Sequence, residues 1–216
     1  MNKKWQVAKY LFFDFFAAAL GWTAFYIYRK VFIEPQRFGM DIPIEFTPQF
    51  FLGLTFIPVF WILFYYITGF YDNIYRRSRL LELGQTFFTS ITGVVVIFFA
   101  LILDDFIHSY KNYYQLFFTL LILHFSLTYL FRLFLTTETI HRIHKRKIGF
   151  NTLLVGSNQK AEKVFKEMTS QQRPAGNLFT GFVGVKNNDD RLLSQYIPEL
   201  GKLDNLNEII EKNNIE

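Results

Sequence analysis

Few ionisable side chains fall inside the apolar stretches of this 216-residue chain, and the two that lie deepest are Asp14 and His124. Such a group is costly in an apolar setting unless it is paired, so each is a candidate for function or for a structural partnership. Asp14 stands seven residues in from Val7, and His124 seven in from Phe131. At about 1.5 Å per helical residue, both lie roughly 10 Å deep from the same end. That shared depth predicts an Asp14–His124 pair, either fixing helix register or forming a polar patch where a lipid phosphate enters.

A second constellation is Gly156-Ser-Asn-Gln-Lys-Ala161, which follows a strand-like run and opens a helical one. Turns of this kind place phosphates on a helix N-terminus through backbone amides, here those of Gly156 and Ser157. The central glycine of the dinucleotide fingerprint is replaced by Asn158, and the next strand ends at Val185-Lys186 without an acidic partner for a ribose. A tight structural turn is the competing reading. Arg76, Arg77 and Arg79 form a third group, suited to anionic lipid headgroups or simply to setting membrane orientation.

Other candidates are weaker. His141 and His144 stand three apart but among Arg142, Lys145, Arg146 and Lys147, which oppose a bound metal ion. Asp104-Asp105 reads as a helix-end feature. The chain has no Cys, which excludes disulfide scaffolds, thiolate metal sites and cysteine nucleophiles. No Ser-His-Asp arrangement, P-loop or paired-carboxylate motif occurs, so no catalytic residue and no metal site is assigned.

The elements that must carry these residues are membrane spans. Of all residues 51% are apolar and 20% aromatic, with 28 Phe. Val7–Tyr28, Phe51–Phe70, Leu83–Leu103 and Asn112–Phe131 are each long enough to cross a hydrocarbon core of about 30 Å. Pro58 should kink the second. Asp14 interrupts the first too early for a cleaved signal peptide, so it reads as a retained helix.

Charge agrees with this division. Before Gly149 there are 15 Lys and Arg against 9 Asp and Glu, whereas after it 8 face 9. The basic residues gather at the ends of apolar runs and not on one folded face, which argues against a nucleic-acid partner. Eleven of them flank one side of the spans and four the other, so both termini are expected to be cytoplasmic.

From Gly149 the pattern becomes β-α-β-α. Thr152–Gly156 and Phe179–Val185 read as strands, Ala161–Met168 as a helix, and Asn187–Gly201 as a polar loop holding a short apolar helix. Leu203, Leu206, Ile209 and Ile210 mark a final amphipathic helix, with a third strand expected to start near Ile215. The expected organisation is therefore a four-helix transmembrane region over 1–148, with spans at 7–28, 51–70, 83–103 and 112–131. An incomplete α/β Rossmann-like module follows over 149–216.

Three stretches carry a family likeness: Gly69-Phe-Tyr-Asp-Asn-Ile-Tyr-Arg-Arg-Ser-Arg-Leu80, Leu103-Asp-Asp105 and Lys147-Ile-Gly-Phe-Asn-Thr-Leu-Leu-Val-Gly-Ser157. Through them the chain resembles the N-terminal part of bacterial polyprenyl glycosylphosphotransferases. The resemblance implies an inner-membrane protein of polysaccharide biosynthesis. It also implies transfer of a sugar-1-phosphate from a UDP-sugar to undecaprenyl phosphate, with Mg²⁺ and a catalytic Asp-Glu pair in a separate C-terminal domain. No residue of this chain matches that pair, so the bundle and module are expected to assemble, position or regulate, with no cofactor of their own. A homo-oligomer is compatible with that role. Two alternatives stand beside it: a stand-alone membrane scaffold or regulator, and the N-terminal part of a membrane nucleotide-sugar 4,6-dehydratase. The Tyr75-Arg-Arg-Ser-Arg79 stretch favours the phosphotransferases.

Overall fold

A computed structural model describes residues 3–40, 43–72, 74–75, 77–101, 110–172, 175–185 and 191–215. Two compact units make up the chain, Met1–Glu138 and Thr139–Glu216.

The first unit is helical. Helix α1 (Lys3–Tyr28) runs through a five-residue π-turn, Arg29–Ile33, into the short α2 (Glu34–Phe38). Glu34 ties this segment together by accepting from Lys30 at 2.8 Å and pairing with Arg29 at 3.7 Å. Helices α3 (Pro48–Ile67), α4 (Arg79–Leu101) and α5 (Tyr110–His144) follow. Four helical stretches among the described residues are long and apolar enough to cross a membrane: Lys4–Gln36, Pro48–Ile67, Arg79–Ala100 and Asn112–His144.

Polar and apolar residues are arranged as lipid demands. Asp14, Glu82, Thr86, His124, Thr128 and Arg132 are buried, while Phe12, Phe56, Phe88, Ile122 and Phe134 are exposed. With lipid outside, polar groups must be satisfied inside the bundle, and apolar side chains lose nothing by facing outward.

Two bounds differ from expectation for identifiable reasons. Helix α3 stops at Ile67, before Phe70, because Gly69 adopts a left-handed conformation (φ +67°). The Gly69 amide donates to the Tyr66 carbonyl at 3.1 Å and the Phe70 amide to the Tyr65 carbonyl at 2.9 Å. This double closure is a Schellman turn, and it folds Phe70 back into the bundle. Pro58 is buried within α3, which continues through it. Helix α5 runs on past Phe131 to His144 because Arg132, expected to mark the span's end, is fully buried and paired.

The second unit is a small parallel sheet with helices. Strands β1 (Phe150–Val155), β2 (Asn177–Gly184) and β3 (Glu199–Lys202) lie in the order β1-β2-β3. In register, Leu154 pairs with Phe182 and Val155 with Val183, while Val183 pairs with Gly201. Helices α6 (Gln159–Ser170) and α7 (Leu206–Lys212) complete the unit. Its core gathers Ala161, Phe182, Leu193 and Ile197, with Phe165 of α6 packed on Phe179 at 5.2 Å between rings.

Strand β3 falls where a polar loop was expected. Its sequence, Glu-Leu-Gly-Lys, has no alternation to mark it, and it is recruited by β2, whose Phe182 amide donates to the Pro198 carbonyl at 3.0 Å. Ile215 does not begin a strand: its amide closes the end of α7 on the Ile210 carbonyl at 3.0 Å.

Helix α6 starts on Asn158, which is extended and accepts from the Ala161 amide at 3.1 Å through Oδ1. Removing this cap in Asn158→Ala should cost about 1 kcal/mol. The expected readout is a lower thermal midpoint for the sheet unit with the far-UV spectrum of the folded protein retained. An unchanged midpoint would mean the cap contributes nothing.

Candidate functional site

The main concentration of chemistry-bearing side chains is a charged layer buried in the helical unit. Arg132 of α5 faces Asp14 of α1 in a two-pronged ion pair, Nε to Oδ1 at 2.8 Å and Nη2 to Oδ2 at 2.8 Å. Arg132 donates its third nitrogen, Nη1, to Thr86 Oγ1 of α4 at 3.1 Å. Tyr71, just after the Schellman turn, donates to Asp14 Oδ2 at 2.8 Å. Burial and the neighbouring Asp14 carboxylate push the Tyr71 phenol well above its usual range, so it stays a donor. The guanidinium carbon of Arg132 also lies 4.0 Å from the Tyr65 ring centre and 3.5 Å from that of Phe70. Charge-assisted, two-pronged geometry of this kind is the strong form of the interaction.

His124 belongs to the neighbouring layer. Its Nε2 is hydrogen-bonded to the Tyr65 hydroxyl at 2.8 Å, and its ring stacks on Trp61 at 3.6 Å. The expected Asp14–His124 pair therefore does not form. Asp14 is taken by Arg132 and Tyr71, and His124 by Tyr65, whose ring also lies against the Arg132 guanidinium. The physical reason is charge: a buried carboxylate is satisfied best by a permanent cation with a matching fork of donors, which Arg132 supplies.

The arginine triplet is divided. Arg77 is buried, donating Nη2 to the Phe70 carbonyl at 2.6 Å with its guanidinium carbon 3.9 Å from the Phe70 ring centre. Burial lowers its pKa, and the charge of nearby Glu82 opposes that shift. Arg77 is thus part of the bundle interior, not a headgroup contact, because Phe70 and its carbonyl hold it inward. Arg79 is exposed at the start of α4, which Ser78 caps by accepting from the Leu81 amide at 3.2 Å. Arg76 lies outside the described residues, as do Asp104 and Asp105.

Glu82, which sequence reasoning passed over, is fully buried one helical turn from Thr86. Thr136, Arg132, Arg77 and Asp14 are the neighbouring groups that act on its carboxylate. Tyr10, hydrogen-bonded to Thr136 at 2.8 Å, completes this side of the layer.

At the sheet, Gly156 adopts φ +101°, and a Cβ added there would meet nothing within 4 Å. Its amide is not free for a phosphate, since it donates to the Val183 carbonyl at 2.8 Å and continues the ladder between β1 and β2. Ser157 is buried, its carbonyl accepting from the Leu192 amide at 3.2 Å. The Asn158 side chain occupies the first turn of α6, as described above. Of the two expected amides, the one on Gly156 is thus already committed to the sheet.

His141 and His144 are both exposed, with Ile143 buried between them. Among the described residues, no three His, Cys, Asp or Glu gather as a metal site. An aromatic crevice of about 540 Å³ lies between α4 and α5, lined by Val95, Phe98, Phe99, Phe117 and Phe118 among others, with no charged group among the described residues that line it. No family model, curated protein or solved structure matches the chain.

Proposed function

We propose that this chain is the membrane-embedded, Rossmann-like N-terminal part of a polyprenyl glycosylphosphotransferase, seated in a bacterial inner membrane with both termini cytoplasmic. Its role is to anchor and position the transfer of sugar-1-phosphate from a UDP-sugar to undecaprenyl phosphate during polysaccharide assembly. The observation that carries this reading is where the residues of the family likeness lie. Within Gly69–Leu80, Gly69 makes the Schellman turn, Phe70 and Tyr71 close on the Arg132–Asp14 pair, and Arg77 holds the Phe70 carbonyl. A stretch that locks helices together suits an anchoring role.

Two further features support it. The order of four membrane-length helices followed by a parallel β-α-β start is the order the likeness implies. Among the described residues the buried charges are also matched, two Arg against two carboxylates, which suits a scaffold better than a headgroup site. The Mg²⁺ used by the family belongs with its Asp-Glu pair, for which this chain offers no matching residues.

The test is activity in native membranes. An antibody against the Arg29–Gln49 segment would precipitate the native protein, which is then offered a panel of labelled UDP-sugars and undecaprenyl phosphate. Solvent-extractable label in a polyprenyl diphosphate product is expected, whether the transferase domain is covalently joined or bound. A precipitate inactive with every sugar, from membranes that are themselves active, would overturn the reading.

A further inference from the structure

Helix α5 changes chemistry along one face. Leu130 and Phe134 are exposed, and His141, His144 and Lys145, also exposed, continue that face at helical spacing. The apolar part suits lipid tails and the cationic part does not. Length fixes where the change falls. The stretch Asn112–His144 has 33 residues, which makes about 50 Å of helix. A whole bilayer with its headgroups measures about 40–45 Å, and a tilt of roughly 20° is ordinary. With Tyr113 and Tyr114 at one interface, the basic residues therefore reach the headgroup level of the other.

The end of this helix is a defined turn. The Lys145 amide donates to the His141 carbonyl at 3.0 Å, the Arg146 amide to the Ile143 carbonyl at 2.9 Å, and the Lys147 amide to the Arg142 carbonyl at 2.9 Å. This is a Schellman closure, whose left-handed position glycine usually fills. Arg146 occupies it instead, at φ +55°, where a side chain costs energy that glycine would not. The Arg146 side chain meets the Thr169 carbonyl only at 3.4 Å. Among the described residues no ion pair engages Lys145 or Lys147.

Membrane orientation needs only positive charge, in any conformation. A strained closure that folds Lys147 back to the helix end does more, because it gathers cations at one point. We propose that Lys145, Arg146 and Lys147, with His144 beside them, dock the anionic headgroup of a bilayer phospholipid. A phospholipid fits better than an acidic protein because the cationic face continues one that already meets lipid. The inference requires α5 to cross the membrane and is independent of the sugar-transfer reading.

Native mass spectrometry of the whole chain tests it, in micelles holding equal amounts of phosphatidylglycerol and phosphatidylcholine. The native protein should retain severalfold more phosphatidylglycerol. Lys145→Gln with Lys147→Gln should remove most of that excess. Lys160→Gln with Lys163→Gln takes the same charge from exposed positions on α6 and should leave the excess in place. Arg146→Gly should lower the excess while raising the thermal midpoint, since glycine relieves the left-handed position. Equal retention of the two lipids by the native protein would overturn the proposal and leave the cluster as an orientation signal. Equal losses in the two lysine pairs would overturn it as well, by showing an effect of net charge alone. If the Lys145 and Lys147 variant fails to fold, Arg146→Gly decides: an undiminished excess there overturns the proposal.

Discussion

Arg132→Leu should destabilise the helical unit by about 3–5 kcal/mol, the cost of leaving one partner of a buried pair unmatched. The variant strips Asp14 of two donors at 2.8 Å and leaves, among the described residues, Tyr71 on that carboxylate. It also releases Thr86 and empties the space against Tyr65 and Phe70. Asp14→Leu should cost a similar amount by stranding the guanidinium. The double variant is the informative one: with both charges gone, the desolvation penalty disappears, and it should be more stable than either single variant. Unfolding midpoints in mixed detergent micelles give the cycle directly. Additive losses would show that Arg132 and Asp14 are not coupled and would remove the centrepiece of the layer. His124→Ala should be nearly additive with Asp14→Leu, because the two have separate partners.

Gly93→Val is expected to cost about 1–3 kcal/mol through overpacking. A Cβ at Gly93 would lie 2.3 Å from Trp61 Cζ3 and 2.4 Å from Cη2. Trp61 has nowhere to retreat, since it is fully buried and stacked at 3.6 Å on His124, which Tyr65 holds in turn. This penalty is steric, so it survives in lipid, where burying apolar surface between helices brings little gain over the surrounding hydrocarbon. Trp61→Leu in the same chain should recover much of the loss by removing the ring that the introduced valine would strike. Thermal midpoints in one detergent for the single and double variants make the comparison. A double variant worse than Gly93→Val alone would mean the clash is not with Trp61. Helix α1 shows the same device, with Trp22 seated against Gly53 of α3.

Part of the charged layer was legible in the residue order. Polar or small residues recur every three or four positions along otherwise apolar helices: Gln6, Tyr10 and Asp14 in α1; Glu82, Thr86 and Ser90 in α4; His124, Thr128, Arg132 and Thr136 in α5. All of these are buried. Such a stripe at helical spacing marks the face that turns inward. Following it through Arg132 would have carried α5 beyond Phe131 and drawn attention to Glu82. Treating Arg132 as a flanking charge hid both.

The parallel sheet was half legible for a similar reason. Strands β1 and β2 contain apolar runs, Leu153-Leu154-Val155 and Phe182-Val183, that mark themselves. Strand β3 does not, because its four residues owe their conformation to the β2 edge and not to their own pattern. The turn at Gly156 was recognisable as a turn, but the sequence could not say whether its amide was free. That depended on a carbonyl 27 positions away, at Val183.

The residue order alone determined the four long apolar helices, the turn at Gly156 and the change of architecture after Gly149. These are local properties, set by length, periodicity and the conformational freedom of single residues. Only the tertiary structure decided which cation Asp14 meets, 118 residues away, and that Arg77 turns inward while Arg79 stays exposed. Those choices turn on helix phase and on competition among donors for one buried carboxylate. Both emerge only when the helices pack, since the free energy of a buried charge belongs to its surroundings and not to its place in the chain.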